Sequence, residues 1–74
     1  MEIDRVYLAL QPHLSLLQLP YPFTEEELNR AYRRRARETH PDVPGGSERE
    51  FIRVRRAYET LKAFLEEGSG GEVR

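Results

Sequence analysis

An imidazole and a carboxylate stand two residues apart in His40-Pro41-Asp42, and four arginines, Arg30, Arg33, Arg34 and Arg37, come shortly before them. In an enzyme such a pair would shuttle a proton; on a surface it offers a donor and an acceptor in fixed geometry. Proton shuttling needs a pocket and further converging polar groups. A chain of 74 residues that reads as a few short helices supplies little concavity, so no catalytic residues are expected. Metal chemistry has no donors either, because there is no cysteine and His13 and His40 are isolated. Neither a metal nor a cofactor is expected. Recognition is what remains.

The tripeptide is rigid by construction. Pro41 lacks an amide hydrogen and presets its own φ, and its ring drives His40 out of the helical region, so a helix arriving from upstream must stop near Thr39 or His40. Beyond it, Pro44-Gly45 suits a type II turn, with Gly45 taking φ > 0. By itself the tripeptide reads as punctuation between helices. Its flanks decide otherwise.

Upstream, Thr24 and Glu27 form a capping box, and Glu25, Glu26 and Glu27 suit the positive end of a helix. From Thr24 to Thr39 the core stripe is Leu28, Ala31, Tyr32, Ala36 and Thr39, with Arg30, Arg33, Arg34 and Arg37 making a basic outer face. Arg35 breaks this pattern by lying inside the apolar stripe. Its stem is expected to pack and its head to reach solvent or a carboxylate such as Glu59. Downstream, Ser47 and Glu50 suggest a second capping box, and Phe51, Val54, Tyr58, Leu61 and Leu65 make the stripe of a helix ending near Glu67. Residues 68–74 then read as a flexible tail. At the start of the chain, Ile3, Val6, Tyr7 and Leu10 fit a helix over 2–10. Gln11-Pro12 interrupts it, and Pro12 opens a second short helix. The first of these is expected to cover the surface of the last helix.

The fold expected is therefore all-α, in one domain over residues 1–67 with a core over 12–67: two antiparallel helices joined by the His-Pro-Asp loop, a short helix before them, and an extra N-terminal helix. No signal peptide or membrane-length apolar run is evident, so a cytoplasmic protein is expected. Net charge is −1 although 34% of residues are charged, so charge placement matters more than its sum.

With both flanks in place, the sequence resembles the J-domain, the module by which DnaJ-type co-chaperones act on DnaK-type ATPase chaperones. The likeness runs from about Leu16 to Leu61. It rests on Leu17, Leu19, Thr24, Glu27, Leu28, Ala31, Tyr32, Arg33 and Ala36, on His40-Pro41-Asp42, and on Phe51, Val54, Ala57-Tyr58-Glu59 and Leu61 at the family's spacing. It departs at Gln18, where the family usually has glycine, at Pro12-His13-Leu14, at Arg35 in place of a leucine and at Thr39 in place of an aromatic. The family's short fourth helix has no counterpart.

The resemblance implies a partner of a catalyst rather than a catalyst. Arg30, Arg33, Arg34 and Arg37 would steer and orient the chain on an acidic surface of a DnaK-type chaperone. His40 and Asp42 would make the contacts that trigger ATP hydrolysis, with Pro41 holding their geometry. A monomer is expected, with no membrane contact and a client unknown from sequence. Two other readings stay open: a J-like interaction module without stimulating activity, and an arginine-helix nucleic-acid binder. Against the latter stand the acidic first turn and the carboxylates of the last helix.

Overall fold

The computed structural model describes residues 5–73, with side chains described through Glu67. Three helices follow one another: α1 over Arg5–Leu17, α2 over Glu25–Thr39 and α3 over Glu48–Val73. Among the described residues there is no strand. α3 is the central element, because α2 and α1 both pack mainly against it while touching each other at few points. The core they enclose holds Leu10, Leu14 and Leu17 of α1, Leu19 and Phe23 of the connection, Leu28 and Ala31 of α2, and Val54, Ala57 and Leu61 of α3. These positions follow the stripes of the sequence, so burial of one apolar face per helix drives the assembly.

The start of the chain differs from expectation. Pro12 does not divide two helices; it lies inside a single α1, with Leu10, Leu14 and Leu17 continuing one buried stripe across it. Proline costs a helix the hydrogen bond to the residue four before it. Here that residue is Leu8, 47% exposed, so its carbonyl can turn to water and the interruption is tolerated. The anticipated cover for α3 is correspondingly smaller. Leu10 is buried, whereas Val6, Tyr7 and Leu8 are exposed, and Ile3 lies outside the described residues. Tyr7 instead meets Tyr21 at 5.4 Å between ring centroids, and Tyr21 leads through Phe23 to Phe64. Of the aromatics near α1, Phe23 belongs to the core.

At the other end, the tail expected over 68–74 is helical backbone as far as Val73, Arg74 lying outside the described residues. Each residue added to an existing helix gains a hydrogen bond without a new nucleus, which offsets the roughly 1 kcal/mol that a glycine costs in a helix interior.

The end of α1 is a Schellman motif. Leu19 N–H donates to Leu14 O at 2.9 Å and Gln18 N–H to Ser15 O at 3.1 Å, while buried Leu14 and Leu19 both belong to the core cluster. The motif requires a left-handed residue, and Gln18 supplies it with φ 55°. A side chain in that conformation costs about 1 kcal/mol relative to glycine. Gln18→Gly is therefore expected to stabilise the fold by about 0.5–1 kcal/mol, read as a higher midpoint in urea unfolding with an unchanged slope.

α2 opens on the expected capping box: Glu27 N–H donates to Thr24 Oγ1 at 3.1 Å, and Thr24 N–H to Glu27 Oε1 at 2.9 Å. α2 and α3 are then joined by a stack of Tyr32 on Tyr58, centroids 4.3 Å apart, and by Tyr58 Oη–H donating to Asn29 Oδ1 at 3.0 Å. Lys62 reaches Glu25 at 3.6 Å, and its ammonium is held above the usual lysine range by the Tyr58 phenol first and by Glu25 and Glu66 after it.

Candidate functional site: the His-Pro-Asp loop and the helix that presents it

The loop is two consecutive turns. Val43 N–H donates to His40 O and Gly46 N–H to Val43 O, each at 3.0 Å, which puts Pro41 and Pro44 at the second positions of the two turns. Gly45 has φ 84°, as a type II turn after Pro44 demands. A third bond, Ser47 N–H to Thr39 O at 3.0 Å, ties the start of α3 to the end of α2 and closes the loop at its base. This bond occupies the amide that a full capping box would use. Ser47 Oγ accepts from Glu50 N–H at 3.0 Å, but the Glu50 carboxylate turns elsewhere, so the second capping box is only half formed. Thr39, which is buried, donates from Oγ1 to Arg35 O at 2.8 Å and so satisfies its hydroxyl inside the helix.

His40 ends α2 with φ −57° and ψ 136°, the extended ψ that a following proline imposes. Its ring is held from two sides. Nδ1 accepts from Asp42 N–H at 3.1 Å, and Phe51 of α3 meets the ring edge-to-face with centroids 5.5 Å apart. A neutral imidazole that accepts at Nδ1 carries its proton on Nε2 and keeps one N–H donor. The Asp42 carboxylate lies 3.8 Å from Nδ1 with its side chain 89% exposed. The loop thus presents an imidazole held by two contacts and a solvated carboxylate on a frame of two hydrogen-bonded turns.

The four arginines of α2 do not share one role. Arg30, Arg33 and Arg37 are exposed; Arg30 is paired with Glu26 at 3.6 Å on the open surface, and among the described residues Arg33 and Arg37 have no ion-pair partner. Arg34 is different. Its Nη2 donates to Leu17 O at 3.1 Å and to Gln18 O at 3.4 Å. Beside it, Arg35 donates from Nε to Leu16 O at 2.8 Å, from Nη1 to Glu38 at 2.8 Å, and lies 3.6 Å from Glu50. A helix leaves its last four carbonyls without internal partners. In α1 the Schellman amides take Leu14 and Ser15, and the two arginines take Leu16 and Leu17, so all are satisfied. Positive charge at that end also complements the helix dipole.

Arg35 is therefore the clamp between α1 and α2, and its carboxylate on α3 is Glu50, not Glu59, which pairs with Arg55 at 3.4 Å. About two and a half helical turns separate the two carboxylates, and Glu50 is the one at the loop end of α3, level with the C-terminal half of α2. The sequence showed an arginine out of place but not the carbonyls it meets, because those belong to a helix end nineteen residues away. Arg35→Ala strips Leu16 O of its donor and leaves the half-buried Glu50 without this partner, so a loss of about 2 kcal/mol is expected in chemical unfolding. Arg35→Lys is expected to recover only part of it, lacking the planar fork.

Among the described residues no group of histidine, cysteine and carboxylate side chains is placed to hold a metal, and no helix is long and apolar enough to cross a membrane.

With the hairpin, the two-turn loop and the capped α2 in view, comparison with known families is decisive. Residues 13–64 match the model of the DnaJ domain. The chain belongs to the DnaJ-domain family. Within it, the chain is similar to Chaperone protein DnaJ 1 of Cutibacterium acnes, 43% identical over 51 residues that make up 68% of this chain and 13% of that protein. It is 46% identical over 52 residues to Chaperone protein DnaJ of Caldicellulosiruptor bescii, covering 66% of this chain and 13% of the relative. Over a shorter stretch of 39 residues, 50% of this chain and 10% of the relative, it is 59% identical to Chaperone protein DnaJ of Trichodesmium erythraeum. The J-domain thus spans about an eighth of the first two relatives. No solved structure matches the chain. The match begins at His13, so the first two turns of α1, including Val6, Tyr7 and Leu8, precede it.

Proposed function

We propose that this J-domain binds a DnaK-type chaperone and stimulates its ATP hydrolysis. One observation carries the reading. The loop holds His40 and Asp42 outward on a rigid two-turn frame, at the end of a helix whose exposed side bears Arg30, Arg33 and Arg37. In this scheme the exposed arginines govern encounter and register, and the loop makes the contacts that favour the hydrolysis-competent state of the chaperone. Pro41 contributes by restricting the backbone between the two contact residues. Arg34 contributes mainly by holding α1, so its effect on docking is indirect. The chain acts as a partner rather than an enzyme, and acts as a monomer in the cytoplasm.

The test is single-turnover ATP hydrolysis by a bacterial DnaK-type chaperone with increasing amounts of this protein, alongside Arg33→Glu/Arg37→Glu. The parent is expected to accelerate hydrolysis. The variant should need on the order of tenfold more protein for half its effect at low salt, with the gap narrowing as salt rises, because the altered side chains are exposed and screened. Failure of the parent to stimulate a chaperone that responds to another J-protein would overturn the proposal. Binding without stimulation would favour the interaction-only module.

A further inference from the structure

The first half of α3 has a second basic surface, outside the loop and outside the α2 face. Arg49, Ile52, Arg53 and Arg56 recur at the spacing that places side chains on one helical face, and with Glu48 they line a shallow, open concavity. α3 buries Val54, Ala57 and Leu61 on its other side, so this face looks away from α1 and α2. Ile52, at the edge of this face beside Arg56 and Arg49, is 40% exposed, and the other exposed large apolar side chains among the described residues, Val6, Tyr7 and Leu8, all lie on α1. Among the described residues Arg49 and Arg56 have no ion-pair partner, and Arg53 is held only by Glu50 at 3.9 Å with its own side chain 62% exposed.

We propose that this face docks an acidic protein segment carrying an aliphatic or aromatic side chain among its carboxylates. Three guanidinium groups on one helical face match carboxylates in charge and in planar, two-toothed geometry. The isoleucine decides between kinds of acidic partner. A phosphate backbone gains nothing from an exposed aliphatic side chain, and single-stranded bases are gripped by flat aromatic platforms, which this face lacks. A peptide side chain, in contrast, covers Ile52 and removes its apolar area from water, and the β-branched side chain loses little freedom in being covered. Net charge of the whole chain is −1, so attraction of an acidic segment is a property of this local face and not of the molecule at large. The inference is independent of the proposed chaperone contact, since it uses none of the same residues.

The experiment titrates the isotope-labelled full chain with a short synthetic peptide of glutamates around a central leucine, with its glutamine analogue, and with an oligodeoxythymidine. Amide shifts are mapped by NMR, and affinities are taken from fluorescence anisotropy. The glutamate peptide is expected to move the amides of Arg49, Ile52, Arg53 and Arg56, and the glutamine analogue to leave them in place. Arg49→Glu/Arg53→Glu/Arg56→Glu should weaken binding about tenfold or more. Ile52→Ser, which keeps every charge, should weaken it about threefold. Shifts confined to Arg30, Arg33 and Arg37, no shifts at all, an unaltered affinity in Ile52→Ser, or tighter binding of the oligonucleotide to the α3 face would each overturn the proposal.

Discussion

His40→Gln is expected to remove the stimulation of ATP hydrolysis while leaving the fold in place. The His40 side chain is 46% exposed and makes one hydrogen bond, from Asp42 N–H, and one edge-to-face contact, with Phe51. Losing these costs about 1 kcal/mol, or roughly 4–8 °C in melting temperature for a domain of this size. Apart from the Asp42 amide, the backbone bonds of the loop do not involve the imidazole, because they run between His40 O, Val43, Gly46, Thr39 and Ser47. Glutamine still offers an amide donor, but on a flexible chain that neither Phe51 nor the Asp42 amide holds in one place. Single-turnover rates at the unstimulated level, together with a parent-like circular dichroism spectrum, would place the trigger at this side chain. Stimulation equal to the parent's would show that His40 is punctuation and that the function resides in the arginine face.

Gly46→Ala is the complementary change, since it leaves His40, Pro41 and Asp42 untouched and attacks the frame. A Cβ on Gly46 would collide with the backbone carbonyl oxygen of His40 and stand 3.0 Å from that of Thr39. Neither can move without breaking the bonds that close the loop, Val43 N–H to His40 O and Ser47 N–H to Thr39 O. A loss of about 3 kcal/mol is expected, which lowers the melting temperature by on the order of 15 °C and consumes much of the stability such a small core provides. Stimulation should fall with it even at temperatures where the variant is folded. Gly45→Ala is the control: a Cβ there meets nothing within 4 Å, and only its φ of 84° opposes substitution. Its cost should stay near 1 kcal/mol. Equal melting temperatures for the two variants would show that the close approach at Gly46 is not what holds the loop.

The pair separates what the loop presents from what shapes it. A residue can be essential in either way, and Gly46 and His40, six residues apart in sequence, are brought into close approach by the loop. Arg34 and Arg35 teach the same lesson on the helix: adjacent and identical in type, they serve the α1 terminus, while Arg33 and Arg37 face solvent.

What the sequence by itself determined is whatever depends on near neighbours. The end of α2 at His40-Pro41, the left-handed Gly45 after Pro44, the Thr24–Glu27 capping box and most of the apolar stripes of α2 and α3 follow from interactions spanning a few residues and are present, with Ala36 outside the core cluster and Phe51 turned to the His40 ring. The hairpin and its family follow from these. Tertiary structure alone decided the rest. Whether Pro12 breaks a helix depends on whether the carbonyl it orphans is exposed. Whether Arg34 docks or clamps depends on where the end of α1 lies, and the partner of Arg35 depends on which carboxylate of α3 comes level with it. Gln18 belongs to both levels: its place at the family's glycine was visible in the sequence, but the bonds that force φ 55° there exist only once Leu14 and Leu19 share the core. Local stereochemistry is written along the chain, whereas the assignment of long, flexible, charged side chains is settled by which backbone ends the packing brings within their reach.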